Sequence, residues 1–182
     1  MPEIPQEDYD ESEALAAHAD RNKNAWQQTL EEMKMMAAEK EDEGWQTVVI
    51  GAGDTAPESP SVGETDRFGL VHVIPDNKAE PFREAFEQGD FPRYDVYRGT
   101  TESRTFLLTE LMDPDSKTAI YIAGNFRRRD ARGLIATVRK EGEMYTHVQK
   151  LDKTHLGSFK HDGYEKFFPN ADRVAQDPGP EA

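Results

Sequence analysis

Cysteine is missing from all 182 residues, which excludes a disulfide framework, a thiol nucleophile and any cysteine-ligated zinc or iron–sulfur centre. Lysine is scarce, with 10 residues beside 36 aspartates and glutamates. Long apolar runs are missing too. The longest, around residues 118–123, has the length of a strand and falls far short of the ~20 residues a membrane helix needs. The opening MPEIPQEDYDESE is acidic and lacks the basic-then-apolar layout of a signal peptide. Together these absences predict a protein of the cytoplasm with no membrane association.

What is present is acid, unevenly placed. Residues 1–66 carry 17 Asp and Glu against 4 Lys and Arg, whereas residues 127–166 carry 10 Lys and Arg against 6 Asp and Glu. The whole chain stands at −14. An acidic protein with one basic stretch reserves it either for an anionic partner or for its own acidic end. The acids are scattered along the chain without a homopolymeric run, which favours salt adaptation over nucleic-acid mimicry. In molar KCl the Debye length falls to about 3 Å, so the self-repulsion of such a surface is screened.

The chain is long enough to bury one core without disulfides or metal. The expected organisation is acidic disordered tails at residues 1–10 and 170–182 around a single domain over residues 11–169. Leu15, Ala19, Trp26, Leu30, Met33 and Ala37 make one helical stripe over residues 11–43, with a break possible near Asn22 and a stop at Gly44. Met33 and Met36 suit that core face, and Met35 does not. Strands are expected at 45–50 and 68–74, joined by a turn-rich loop over 51–66. Next comes a helix capped by Asn77, with Ala79, Phe82 and Phe86 inward, Pro81 in its first turn and Gly89 beyond its end. Strands at 94–98, 105–112 and 118–123 follow, the last central in the sheet. A helix over 130–140 buries Leu134, Ile135 and Val138, and a hairpin over 144–151 and 155–159 turns at Asp152-Lys153. This order predicts an α+β single domain: a largely antiparallel sheet with helices packed on one face and a long N-terminal helix.

Three motifs bear on chemistry. Gly51-Ala52-Gly53-Asp54-Thr55-Ala56 has the letters of a dinucleotide fingerprint, but Pro57 and the stretch ESPSVGETD cannot open the phosphate-binding helix that this chemistry requires. Asp95 and Glu110 sit on adjacent strands, yet a nuclease of the D…E-x-K type needs lysine where Met112 stands. His147, His155 and His161 form the best chemical cluster, since imidazoles serve as metal ligands or as general acids and bases near neutral pH. The simplest hairpin register sets His147 opposite Ser158 and His155 opposite Lys150, which places the two rings on opposite faces. No helical H-x-x-x-H or third ligand accompanies them. Tyr145, His147, Gln149 and Ser158 share one face in that register, either lining a ligand pocket or facing solvent.

Arg127, Arg128, Arg129 and Arg132 stand where a strand hands over to a helix, and guanidinium groups there suit bidentate recognition of phosphate or carboxylate. Pairing with the acidic first helix is the competing use of the same charges.

The stretches GDTAP, RFGLVHVIPDNKAEPFREAF, FPRYDVYR and GEMYTHVQKLDKTHLGSF, closing on FFP, resemble a haloarchaeal protein family of unknown function over about residues 25–170. The resemblance implies a halophilic cytoplasmic protein. It implies no activity, cofactor or catalytic residue.

The expected function is therefore binding, to a protein partner or a small ligand, through an edge formed by Arg127, Arg128, Arg129 and Arg132 with Tyr145 and His147. A small enzyme using His147, His155 or His161 is the alternative from another class, and nucleic-acid association through residues 127–132 is the third. No motif calls for a metal or cofactor.

Overall fold

No glycine or proline interrupts the chain between Pro5 and Gly44, and this stretch forms one helix, α1 (Gln6–Asp42), in the computed structural model. The structure describes residues 6–60 and 67–171, with side chains from Glu11 onward. The helix starts five residues before the expected boundary, within the stretch read as a tail. Residues 1–5 and 172–182, also read as tails, lie outside the described residues, as do 61–66 of the expected loop. No break occurs at Asn22: its side chain accepts a 2.6 Å hydrogen bond from Thr101 Oγ1 while the helix continues. Met33 and Ala37 are buried, Trp26, Leu30 and Met36 are half-buried, and Met35 is exposed, as the stripe predicts, but Leu15 and Ala19 at its N-terminal end are exposed, so only the second half of the helix packs on the core. Gly44 enters the left-handed region (φ 91°), and the Trp45 amide returns to the Lys40 carbonyl, which ends the helix.

The strands form two four-stranded mixed sheets. The first runs β1 (Gln46–Gly51), β6 (Thr118–Arg127), β5 (Arg104–Asp113), β4 (Arg93–Thr100) in spatial order. The second runs β2 (Asp54–Glu58), β3 (Gly69–Val73), β7 (Met144–Gln149), β8 (His155–His161). Each holds one parallel pair, β1 with β6 and β3 with β7, among antiparallel neighbours. The α+β class, the single domain and the long first helix stand. The expected sheet resolves into two, and the helices are not confined to one side. Tyr121 and Ala123 of β6 pack with Met33 of α1, whereas Ile120 and Ile122 pack with Phe82 of α2 (Asp76–Phe86).

Three local expectations fail, each for a physical reason. The loop after β1 contains β2, an edge strand pairing only with β3. An edge tolerates Pro57 because its missing N–H costs no ladder bond. Helix α2 begins one residue before Asn77, after Pro75 and without a side-chain cap, so Pro81 lies beyond its first turn and donates no bond to Asn77. Of its expected inward residues Phe82 is buried and Ala79 and Phe86 are half-buried, and Ala85 joins them. The final hairpin keeps His147 opposite Ser158 but skips Leu156, so His155 pairs with Gln149 instead of Lys150.

The strand over 118–123 is central as expected, and Leu134, Ile135 and Val138 of α3 (Arg132–Glu141) are buried. Between β6 and α3 the chain makes a 3-10 turn, Arg128–Ala131. Ala52 and Gly53 tie the sheets together. The Ala52 amide bonds to Ala123 of the first sheet, and the Gly53 amide to Val73 of the second.

Candidate functional site

Near its end strand β6 delivers Phe126 to the floor of a pocket of about 310 Å³, and the turn that follows supplies the rim. Arg98, Arg128, Arg129 and Arg132 line the pocket, over a floor that includes Phe126, Ile135 and Phe168, and among the described residues no acidic side chain joins the lining. The floor follows from alternation along β6 and from the helical spacing of α3, which bury Phe126, Leu134 and Ile135 in one cluster with Phe168. Arg98 comes from β4, two strands away, and the sequence reading did not single it out. Burial, and then the neighbouring Arg128 guanidinium, hold Arg98 below the usual arginine range.

The arginines are not equivalent. Arg128 donates to the carbonyls of Thr101, Glu102 and Arg104, so its guanidinium clamps the β4–β5 turn while forming one wall of the pocket. Arg129 is more open, 72 % exposed at its side chain and 4.0 Å from Asp130. Arg127 turns away. It pairs with Asp130 at 3.1 Å and lines a second pocket, of about 660 Å³, beside Arg104, Asn125 and the Gly53–Asp54 corner. The glycine motif is structural there, since the Ala52 and Gly53 amides bond to the two sheets and the chain continues into β2.

The ion pairs of Arg127, Arg129, Lys150, Lys160 and Lys166 run to Asp130, Asp76, Glu143 and Asp95, none of which belongs to α1. The arginine-lined pocket includes no residue of the β7–β8 hairpin, so the structure does not bring Tyr145 and His147 into it.

The histidines divide by side of the second sheet. His161 is buried, its Nε2 2.8 Å from Thr146 Oγ1 and its ring centroid 4.2 Å from Tyr94 and 4.9 Å from Phe167. Burial, then Lys166 and His147, push it down to about 3. His72, which the sequence reading passed over, is fully buried, with Nδ1 2.9 Å from Thr55 Oγ1 and, among the described residues, no partner for Nε2. Burial takes it to about 4. The signal for His72 was present, because it shares parity with Leu70 and Ile74 in the run FGLVHVI.

His147 and His155 meet on the other face, contrary to the expected opposition. Skipping Leu156 resets the alternation of β8 and turns His155 to the side of Ser158. His147 Nε2 lies 2.9 Å from the Phe68 carbonyl, which can only accept, so this nitrogen carries the proton. Its Nδ1 then offers a lone pair to the Ser158 hydroxyl at 2.7 Å, and Ser158 Oγ accepts from His155 Nε2–H at 3.1 Å. Tyr145 stacks on His147, with centroids 5.7 Å apart. Burial leads the lowering of both imidazoles, and the Arg67 charge adds to it in each.

Among the described residues, no three His, Asp or Glu side chains converge as metal ligands, and no helix is long and apolar enough to cross a membrane.

A family match over residues 12–169 covers most of the chain. The chain belongs to DUF7529, a family of unknown function. No curated protein and no solved structure matches it. The DUF7529 match spans both places described above, the arginine-lined pocket and the outer face of the second sheet, and assigns a role to neither.

Proposed function

We propose that this chain is a binding domain and that its ligand is a small organic anion: a carboxylate or phosphate on an aromatic or branched apolar body. The observation that carries this reading is the pairing of four guanidinium groups with an apolar floor in one pocket. Arginine forks match carboxylate and phosphate bidentately, and the floor rewards the apolar part. What favours a small ligand over nucleic acid is the use of the arginines. Arg128 holds turn carbonyls and Arg127 holds Asp130 on another side, so residues 127–132 do not present one continuous basic strip. A protein partner that inserts a C-terminal or side-chain carboxylate above an apolar residue is the adaptor form of the same chemistry.

The acid excess and scarce lysine support a halophilic, haloarchaeal origin and a cytoplasm rich in KCl. Recognition there must rest on direct contacts, because molar salt screens long-range attraction.

The test is thermal unfolding in 2 M KCl with benzoate, phenyl phosphate, inorganic phosphate and the neutral analogue benzyl alcohol. Phenyl phosphate or benzoate at 100 times its Kd is expected to add about 2.7 kcal/mol. Benzyl alcohol and inorganic phosphate should add little, and the double variant R98A/R129A should abolish the gain. Equal stabilisation by benzyl alcohol, or an undiminished gain in the variant, refutes the reading.

A further inference from the structure

We propose that Ser158 is a nucleophile for acyl transfer from esters, with His147 as its general base, at a site separate from the arginine-lined pocket. Ser158 sits on the outer face of β8, open to solvent, while its flanking residues Gly157 and Phe159 are buried. A reactive hydroxyl must be accessible and must have a base within 2.6–3.2 Å whose own orientation is fixed. His147 Nδ1 meets the distance at 2.7 Å, and the Phe68 carbonyl, 2.9 Å from Nε2, fixes both the ring and its tautomer. Stacking of Tyr145 on the ring removes its remaining freedom.

His155 completes the arrangement from the far side. Its Nε2–H donates to Ser158 Oγ at 3.1 Å, and a donor to that oxygen stabilises the alkoxide as it forms. The β8 bulge is what makes this possible, since regular pairing would send His155 to the opposite face. Arg67 adds positive charge beside both imidazoles, offset in part by its ion pair with Glu58. It is held there by Gln149 Oε1 at 3.0 Å and Glu58 Oε1 at 3.4 Å.

The chemistry balances without a cofactor. Ser158 Oγ bonds to the carbonyl carbon of the ester while its proton passes to His147 Nδ1. The bond from that carbon to the leaving oxygen then breaks, and the His147 proton transfers to the departing alkoxide. Water, deprotonated by His147, attacks the acyl-serine to release the carboxylic acid and restore the hydroxyl.

The experiment uses the full chain in molar KCl with p-nitrophenyl acetate as substrate and an alkyl fluorophosphonate as trap, whose phosphorus bonds to Oγ as fluoride leaves. Nitrophenolate release and peptide mass mapping are the readouts. The expected result is one adduct, on Ser158, absent in S158A. Its formation should slow about 10²-fold or more in H147Q, the low end for a positioned base. His155 is exposed and its replacement spares the core, so H155Q should remain folded and slow the labelling about 10-fold. Labelling of Ser158 at the same rate in H147Q and H155Q would overturn the proposal, as would adducts spread over other hydroxyls or none on Ser158.

Discussion

Burying an imidazole penalises its charged form, and of the three histidines this fold buries, His72 and His161 are the most enclosed. Their folded values, about 4 and about 3, lie below the unfolded value of about 6.5. The unfolded chain therefore binds more protons in the window between. Stability from these rings is complete above about pH 6.5 and is lost as the pH falls toward their folded values. At about 1.4 kcal/mol per unit, each ring should account for roughly 2 kcal/mol of lost stability between pH 7 and pH 5. Denaturant titrations at those two pH values, at fixed ionic strength, should show about half of this histidine contribution removed in H161Q. An unchanged difference between the two pH values would mean that His161 accepts its proton inside the fold. His147 contributes in the same direction, since burial lowers it too.

At the scale of elements, the two sheets approach tightly at Gly124 of β6. A methyl group there would stand 2.3 Å from Thr55 Oγ1 and 2.8 Å from His72 Cε1, both held in the second sheet. Gly124→Ala is expected to cost about 1–3 kcal/mol, as overpacking of a closed core does, readable as a lower denaturation midpoint. A wild-type midpoint would show that the sheets separate there easily. Such contacts explain what was legible in the sequence. The buried half of the α1 stripe and the buried face of α3 rest on helical periodicity, and the central strand over 118–123 on its nearly continuous apolar run, all of which the sequence displays. Strand β2 carries Pro57 and looks like loop, because only its edge position makes that proline harmless. The bulge at Leu156 leaves no compositional mark, yet it decides whether His155 joins His147. Arg98 was hidden for a related reason: only the β4–β5–β6 pairing carries it to the arginines of residues 127–132.

Over the whole molecule the charge of −14 dominates behaviour in dilute buffer. Raising KCl from 0.1 to 2 M should raise the melting temperature, because screening relieves repulsion among the carboxylates. A melting temperature that does not change with salt would contradict the salt-adapted reading. The parallel pairings have a different consequence, for how the chain comes to fold. Gln46 waits for Thr118, and Leu70 waits for Thr146. Closing such long loops precedes any reward from the contacts they bring, which slows assembly. During synthesis β1 and β3 emerge with their parallel partners still unmade, so the first sheet cannot close until β6 has left the ribosome, nor the second until β7 has. Folding here is a late event that draws in nearly the whole polypeptide at once.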